Sequence, residues 1–434
     1  VTPLWLALPA LVVFCGVGAA LEQLAGVRAR WVPRDAPLDG IAWISHGAAL
    51  YVAFVVHPGL GVALLALSFL WLRRGLEPSM PDPVPATSSA AVTVALLMVA
   101  LATLAIALSP PVPIAWDELV WLSRARVGTA GPFALADRAL DPRGGLVPSG
   151  YPIGAGALSA ALSLFADDLR SLTGGAGALV VFSGAVFALV LAESKSVSRR
   201  VVFAVIAATP LVWVHLRTGM LDLPVGLLVA ALALSLRGAR EGDARLTRLA
   251  LPLAVLLASL KDEGAMYAVV IAIASLLPRS SSRAAGKDGT DLRASILVIV
   301  TALSVLGVWR VRLALAGVAA EHHAPAGFSF AAMGPVLREL GRAACDVRSF
   351  GGSLAVIVVG AVMLIRKGDD RALAWALAGC ILATLAALAI GPDAVRSFAA
   401  TGTLWPRFLL QLVPLGAVVV GAGWRASIQI AADG

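Results

Sequence analysis

Apolar runs long enough to form buried helices recur along nearly the whole chain. They fall at 4–21, 41–72, 91–108, 179–191, 201–216, 223–236, 249–260, 265–277, 296–315, 354–365, 372–390 and 408–420, with short polar breaks between them. At about 20 residues per crossing, with some crossings tilted or thin, the pattern predicts an all-α polytopic membrane protein of roughly 13 transmembrane helices. The run 41–72 is too long for one crossing and is interrupted at His57-Pro58-Gly59, which predicts a hairpin of two helices. The run 153–165 is short and is followed by Asp167-Asp168, so it reads as a re-entrant or interfacial helix. Between Pro110 and Pro152 no spanning pattern occurs. The pairs Gly131-Pro132, Asp141-Pro142 and Gly144-Gly145 there predict an external loop carrying short interfacial helices.

No Lys or Arg precedes the first run, whereas Arg28, Arg30 and Arg34 follow it; this predicts an uncleaved span with its N-terminus outside. A Pro- and Ser-rich stretch at 77–90 reads as a linker. The chain thus divides into an N-terminal transmembrane module with its linker (1–90), a transmembrane core (91–278) and a C-terminal transmembrane region (279–434).

Composition agrees with this class. Of 434 residues, 59% are hydrophobic and 14% charged, more apolar surface than one soluble core could bury. The net charge of +8 does not indicate nucleic acid, because the basic residues are spread over short loops. The loops 195–200, 237–248, 279–293 and 366–371 hold 3, 4, 4 and 3 Lys or Arg, and alternate crossings place all four on one side. By the positive-inside rule that side is cytoplasmic. The chain is therefore expected in the plasma (inner) membrane, of bacterial type by its Ala-, Gly- and Arg-rich composition, with the other face toward the periplasm or exterior. Cys15, Cys345 and Cys380 are far apart and lack metal-ligand spacing.

The non-cytoplasmic face collects the ionisable residues. Asp117-Glu118 follow the run 91–108 after the bend Pro110-Pro111-Val112-Pro113. Helical spacing puts Asp117, Trp121 and Arg124 on one face, so that a carboxylate and a guanidinium share an aromatic platform suited to an anionic, sugar-bearing substrate. The same pattern fits an amphipathic helix at the membrane surface. In Arg217 to Pro224, Asp222 precedes an apolar helix with Pro at its start, the form of an N-cap that can also face a site. Lys261-Asp262-Glu263 interrupt an apolar run. At the bilayer centre each would cost about 2.5 to 3.5 kcal/mol, so they belong at a surface or in a wet cavity. Trp405-Pro406-Arg407 lie on the same face. His322-His323 are adjacent with no third ligand evident, so no metal-ligand set is legible and the cofactor, a divalent metal included, stays undetermined.

In their order and shared face these motifs resemble the GT-C glycosyltransferases that use polyprenyl-phosphate sugars, the class of the protein O-mannosyltransferases and lipid A aminoarabinose transferases. Asp117-Glu118 with Arg124 is similar to the acidic pair of the family's first external loop. Arg217 to Pro224 is similar to its Arg…Leu-Asp-x-Pro turn, and Lys261 to the Lys-bearing turn one hairpin later. Arg407-Phe408-Leu409-Leu410 with Pro414 is similar to the start of a late span. The likeness covers about residues 91–278, with one motif near the end.

The resemblance implies a GT-C-type bundle that moves a sugar from a polyprenyl-phosphate donor to an acceptor hydroxyl on an unidentified glycan, lipid or protein. Asp117 would be the general base, with Glu118 or Asp222 positioning the acceptor or Asp117. Arg124, Tyr151, Arg217, Lys261 and Arg407 would bind substrate. The chain departs from the family where many relatives carry Lys-Pro-Pro-Leu: it has Ser149-Gly150-Tyr151-Pro152-Ile153, so the lipid phosphate must fall to other cations. It has no Asp-x-Asp, and no large soluble C-terminal domain is expected, so metal dependence and sequon recognition do not carry over. The competing class is a secondary transporter or lipid flippase with Asp222, Lys261 and Glu263 along the path. That class predicts mid-membrane charges and repeated halves, whereas the charges here fall at the ends of runs.

Overall fold

The computed structural model describes residues 4–26, 36–75, 116–143, 146, 150–194, 197–216, 218, 220–277, 288–318, 327, 330–367, 370–402 and 404–433. Among these the chain forms helices and no strand. The first helices are α1 (Leu8–Leu24), α2 (Ala36–Val56) and α3 (Pro58–Gly75). The expected hairpin is present: α2 stops at Val56 and Pro58 starts α3, where its missing N–H is needed by no preceding turn. The linker 77–90 and the run 91–108 lie outside the described residues.

Two short helices, α4 (Trp116–Gly128) and α5 (Pro132–Ala139), lead to α6 (Gly154–Leu162) and the long α7 (Leu169–Glu193). Asp168 caps α7 by accepting from the Ser171 N–H. The run 201–216 forms α8 (Arg199–Ala207) and α9 (Pro210–Leu216), bent by 79° at the break. Then come α10 (Asp222–Glu241), α11 (Ala244–Thr247), α12 (Ala250–Leu260), α13 (Asp262–Ser275) and α14 (Asp288–Leu315). The chain finishes with α15 (Phe330–Ala344), α16 (Val347–Phe350), α17 (Ser353–Lys367), α18 (Arg371–Ile390), α19 (Asp393–Ala400) and α20 (Trp405–Asp433).

Among the described residues six helices are long and apolar enough to cross a membrane, within α2, α7, α10, α14, α18 and α20, or seven if α8 and α9 count as one bent span. The other apolar runs give shorter helices. The 11 residues of α12 extend about 16 Å, half of a hydrocarbon core about 30 Å thick. α12 and α13 fold back on each other at Lys261; a Cβ on Gly264 would lie 2.2 Å from the Leu257 carbonyl oxygen.

α10 is the central element. Every residue from Asp222 to Ala239 is buried, and α7, α12, α13, α14 and α20 pack around it. Gly226 permits a close approach of α20, since a Cβ there would meet the Gln411 carbonyl oxygen at 2.6 Å. By contrast only 39% of the span in α14 is buried, and Ile296, Val300 and Leu303 stand exposed along it, an apolar face that suits lipid contact.

Charge divides the two ends of α10. At its C-terminal end the flanks of all four basic loops meet: Arg237 pairs with Glu241 and Asp370, Arg245 with Glu193, and Arg240 donates to the Leu277 carbonyl. At this end Arg248 also holds Glu22 of α1 and Asp39 of α2, with Trp43 donating to Glu22 at 2.8 Å. These bonds dock the N-terminal helices on the core.

Two short helices pack more deeply than their sequences show. The sequence leaves α6 as re-entrant or interfacial; all nine of its residues are buried, because Gly154, Gly156 and Gly175 let neighbouring backbones and side chains close around it. α4 keeps an exposed side, with Leu119, Ser123 and Arg126 facing outward, but its other side, with Glu118, Val120, Trp121, Leu122, Arg124 and Ala125, is buried against α6 and α7.

Candidate functional site

Asp222 is the first residue of α10 and is completely buried. Leu221 occupies the cap position and no side chain caps the helix, so the N-cap role suggested by the sequence is not the one Asp222 plays. Its oxygens are taken by partners from other elements. Oδ1 accepts from Lys261 Nζ at 2.8 Å and from Gln411 Nε2 at 2.7 Å; Oδ2 accepts from Arg407 Nε at 3.0 Å. His215 Nδ1 lies 3.9 Å from Oδ2, beyond hydrogen-bond reach. The positive end of the α10 dipole adds to this field.

Each donor is placed by a structural device. Lys261 is the single residue between α12 and α13, in extended conformation (φ −152°, ψ 154°), which puts its ammonium at the tip of the hairpin. Arg407 and Gln411 are four residues apart on α20 and therefore share a face. The Lys261 side chain is 4% exposed and that of Arg407 is 23% exposed, so Arg407 is the member open to an incoming ligand. Two cations on one carboxylate leave the cluster with an excess of positive charge, in surroundings where a fixed charge acts more strongly than in water.

A second group of residues leads to this cluster from α4. Arg124 is almost wholly buried. Its guanidinium carbon lies 5.7 Å from the Trp121 ring centroid and 5.9 Å from that of Tyr151, within cation–π range, and the two rings meet edge to face. Arg124 donates to the Tyr151 carbonyl at 3.3 Å. The same bend is held from α14, where Trp309 Nε1 donates to the carbonyls of Gly150 and Tyr151 and Arg310 donates to Gly150 at 3.1 Å. Arg310 also pairs with Asp262 at 2.7 Å, next to Lys261. Contacts thus run from α4 through the 150–151 bend and α14 to the tip that bears Lys261.

Of the residues singled out in the sequence, Asp222, Lys261 and Arg407 come together at one point, and Arg124 and Tyr151 at a connected one. Glu118 is buried on α4. Asp117 is the second residue of that helix, but its side chain, like the whole of Arg217 and of His322-His323, lies outside the described residues. Sequence reasoning missed Gln411, His215, Trp309 and Arg310. Each is a polar or amphipathic side chain inside a run treated as uniformly apolar, where an isolated polar group is itself a signal.

Among the described residues no three His, Cys, Asp or Glu side chains are grouped to hold a metal ion. A small cavity lies near Arg237, at the far end of α10 from this cluster. No family model, curated protein or solved structure matches the chain.

Proposed function

We propose that the chain is a membrane glycosyltransferase that moves a sugar from a polyprenyl-phosphate donor to an acceptor hydroxyl on the periplasmic or external face. The observation that carries this reading is the convergence of Lys261 and Arg407 on buried Asp222. A phosphate leaving group needs cations held in fixed positions, and these two are fixed by a carboxylate that three of its roughly four lone-pair sites commit to them and to Gln411. In this reading the shorter apolar helices are thin or tilted crossings, giving roughly 13 in a GT-C-type bundle, with α4 and α5 in the first external loop.

The reaction is a single displacement. The acceptor oxygen attacks the anomeric carbon, Asp117 takes its proton, and the bond from that carbon to the phosphate oxygen breaks with its electron pair leaving on the phosphate. The departing phosphate gains negative charge as the bond lengthens, and Arg407, with Lys261 behind it, meets that charge; such preorganised donors act most strongly in the transition state. Asp222, already occupied by its donors, positions them and takes no proton. Arg124, clamped by two rings, sets the place of Tyr151 beside the donor sugar.

A transporter or flippase reading draws on the complete burial of Asp222 within the bundle, since buried intramembrane charges also mark transport paths. One experiment separates the two. Purified protein in nanodiscs, given polyprenyl-phosphate sugar and a soluble acceptor, transfers sugar, and Asp117→Asn lowers turnover by about 10²- to 10⁴-fold with fold and donor binding retained. Lipid movement without cleavage of the sugar–phosphate bond would establish the second reading.

A further inference from the structure

At the opposite end of α10 from Asp222, a small cavity lies between α10, α13 and α18. It is lined by apolar Ala233, Ile271, Ala372, Leu373 and Ala376, by Ser275, and by the charged Arg237, Arg240 and Asp370. Arg237 is more than nine-tenths buried, and although its Nε and Nη2 serve Glu241 and Asp370, its buried Nη1 has no hydrogen-bond partner. A buried guanidinium N–H without an acceptor costs about 1–3 kcal/mol, more for a charged group, so an oxygen belongs there. α18 begins at the same place: Asp370 precedes it without capping it by its side chain, so the positive pole of a 20-residue helix adds to the two arginines.

We infer that this cavity binds the phosphate of an anionic phospholipid from the leaflet that the basic loops mark as cytoplasmic. The cavity is partly open, and its inner space of about 20 Å³ is enough for one oxygen atom. One phosphate oxygen enters to meet Arg237 Nη1, the rest of the headgroup stays at the mouth beside Arg240, and the acyl chains continue along the membrane-facing surface. Glu241 and Asp370 offset part of the positive charge, which favours a monoanionic phosphodiester over a multiply charged headgroup. Basic pockets between transmembrane helices on the cytoplasmic side suit such headgroups. This site stands apart from the glycosyltransferase reading, since none of its residues touches the Asp222 cluster.

The test is native mass spectrometry of the full chain released from nanodiscs of phosphatidylcholine doped with phosphatidylglycerol. Wild type should retain one phosphatidylglycerol in preference to phosphatidylcholine. Arg237→Gln should weaken retention by about fivefold or more, the worth of one basic residue against an anionic headgroup. Because Arg237→Gln also removes two ion pairs, a second variant, Ala372→Phe, plugs the half-buried mouth and leaves both arginines in place; it should lose the lipid while keeping the wild-type melting temperature in phosphatidylcholine alone. Equal retention by wild type and Ala372→Phe overturns the inference. So does stabilisation of wild type by millimolar inorganic phosphate with no lipid retained, which would make the occupant a free anion, and so does no response to either probe, which would leave a buried water.

Discussion

Asp222 owes its influence to the number of groups that depend on it. Removing one partner of a buried ion pair leaves the other charge uncompensated, at a cost of about 3–5 kcal/mol, and Asp222 compensates two. Asp222→Asn should therefore be among the most destabilising single changes in the molecule, lowering stability by about 3–5 kcal/mol in a detergent unfolding titration. Arg407→Ala should behave differently. Arg407 is the most exposed member of the cluster, so its loss should cost little stability but reduce turnover at saturating donor, and Arg407→Lys should recover only part of it because an ammonium cannot grip a phosphate with two parallel bonds. Equal losses of stability in Asp222→Asn and Arg407→Ala would mean that the cluster is purely structural. The sequence makes Asp222, Lys261 and Arg407 conspicuous because a charge beside an apolar run must have a reason. It does not make Gln411 conspicuous, since one amide in a long run barely alters the hydrophobic pattern and its partner lies 189 residues away.

Among the elements, the contact of α10 with α20 sets the spacing of the site. Gly226 lies one turn beyond Asp222, and the Gln411 backbone rests on it. Gly226→Ala places a methyl group where there is no room and must push the two helices apart, overpacking of a kind that typically costs 1–3 kcal/mol. The displaced atoms belong to Gln411, so turnover should fall further than stability alone explains. The same change at Gly184 of α7, where a Cβ meets nothing within 4 Å, should be silent in both thermal melting and turnover. The apolar runs and the hairpin at His57-Pro58-Gly59 were legible because period, length and proline act locally. The burial of α6 and α4 was not. It depends on small residues that let other helices close over them, such as Gly156 against Arg124, and a short apolar run reads the same whether protein or lipid covers it.

For the whole molecule, the placement of charge predicts an orientation that can be measured. Single cysteines at 130–145 and 400–404 should react with an impermeant thiol reagent from outside intact cells, and those at 240–244 and 284–288 only after the membrane is opened; labelling of both sets from one side would refute the topology. The charge asymmetry in the sequence and the contacts of Arg237, Arg240 and Arg245 put the four basic loops at one end of the bundle for separate reasons, one a rule of membrane insertion and the other a set of ion pairs and a hydrogen bond. The count of crossings was less legible, because α12 and α13 are apolar enough to resemble spans but each is short, and what decides their depth is the neighbour each packs on.

The contrast between α10 and α14 has a mechanical consequence. α10 is enclosed by protein along its whole span, whereas most of the span in α14 is open to its surroundings, so a change in hydrocarbon thickness works on α14 first, through the fractions of a kcal/mol per ångström that hydrophobic mismatch costs. Asp222 rides on the insulated helix, while Arg310, which ties Asp262 to the 150–151 bend, rides on the helix that must tilt. In short-chain and long-chain nanodiscs, donor affinity should therefore shift while melting of the Asp222 cluster does not: the bilayer would tune the rim of the site and leave its floor rigid.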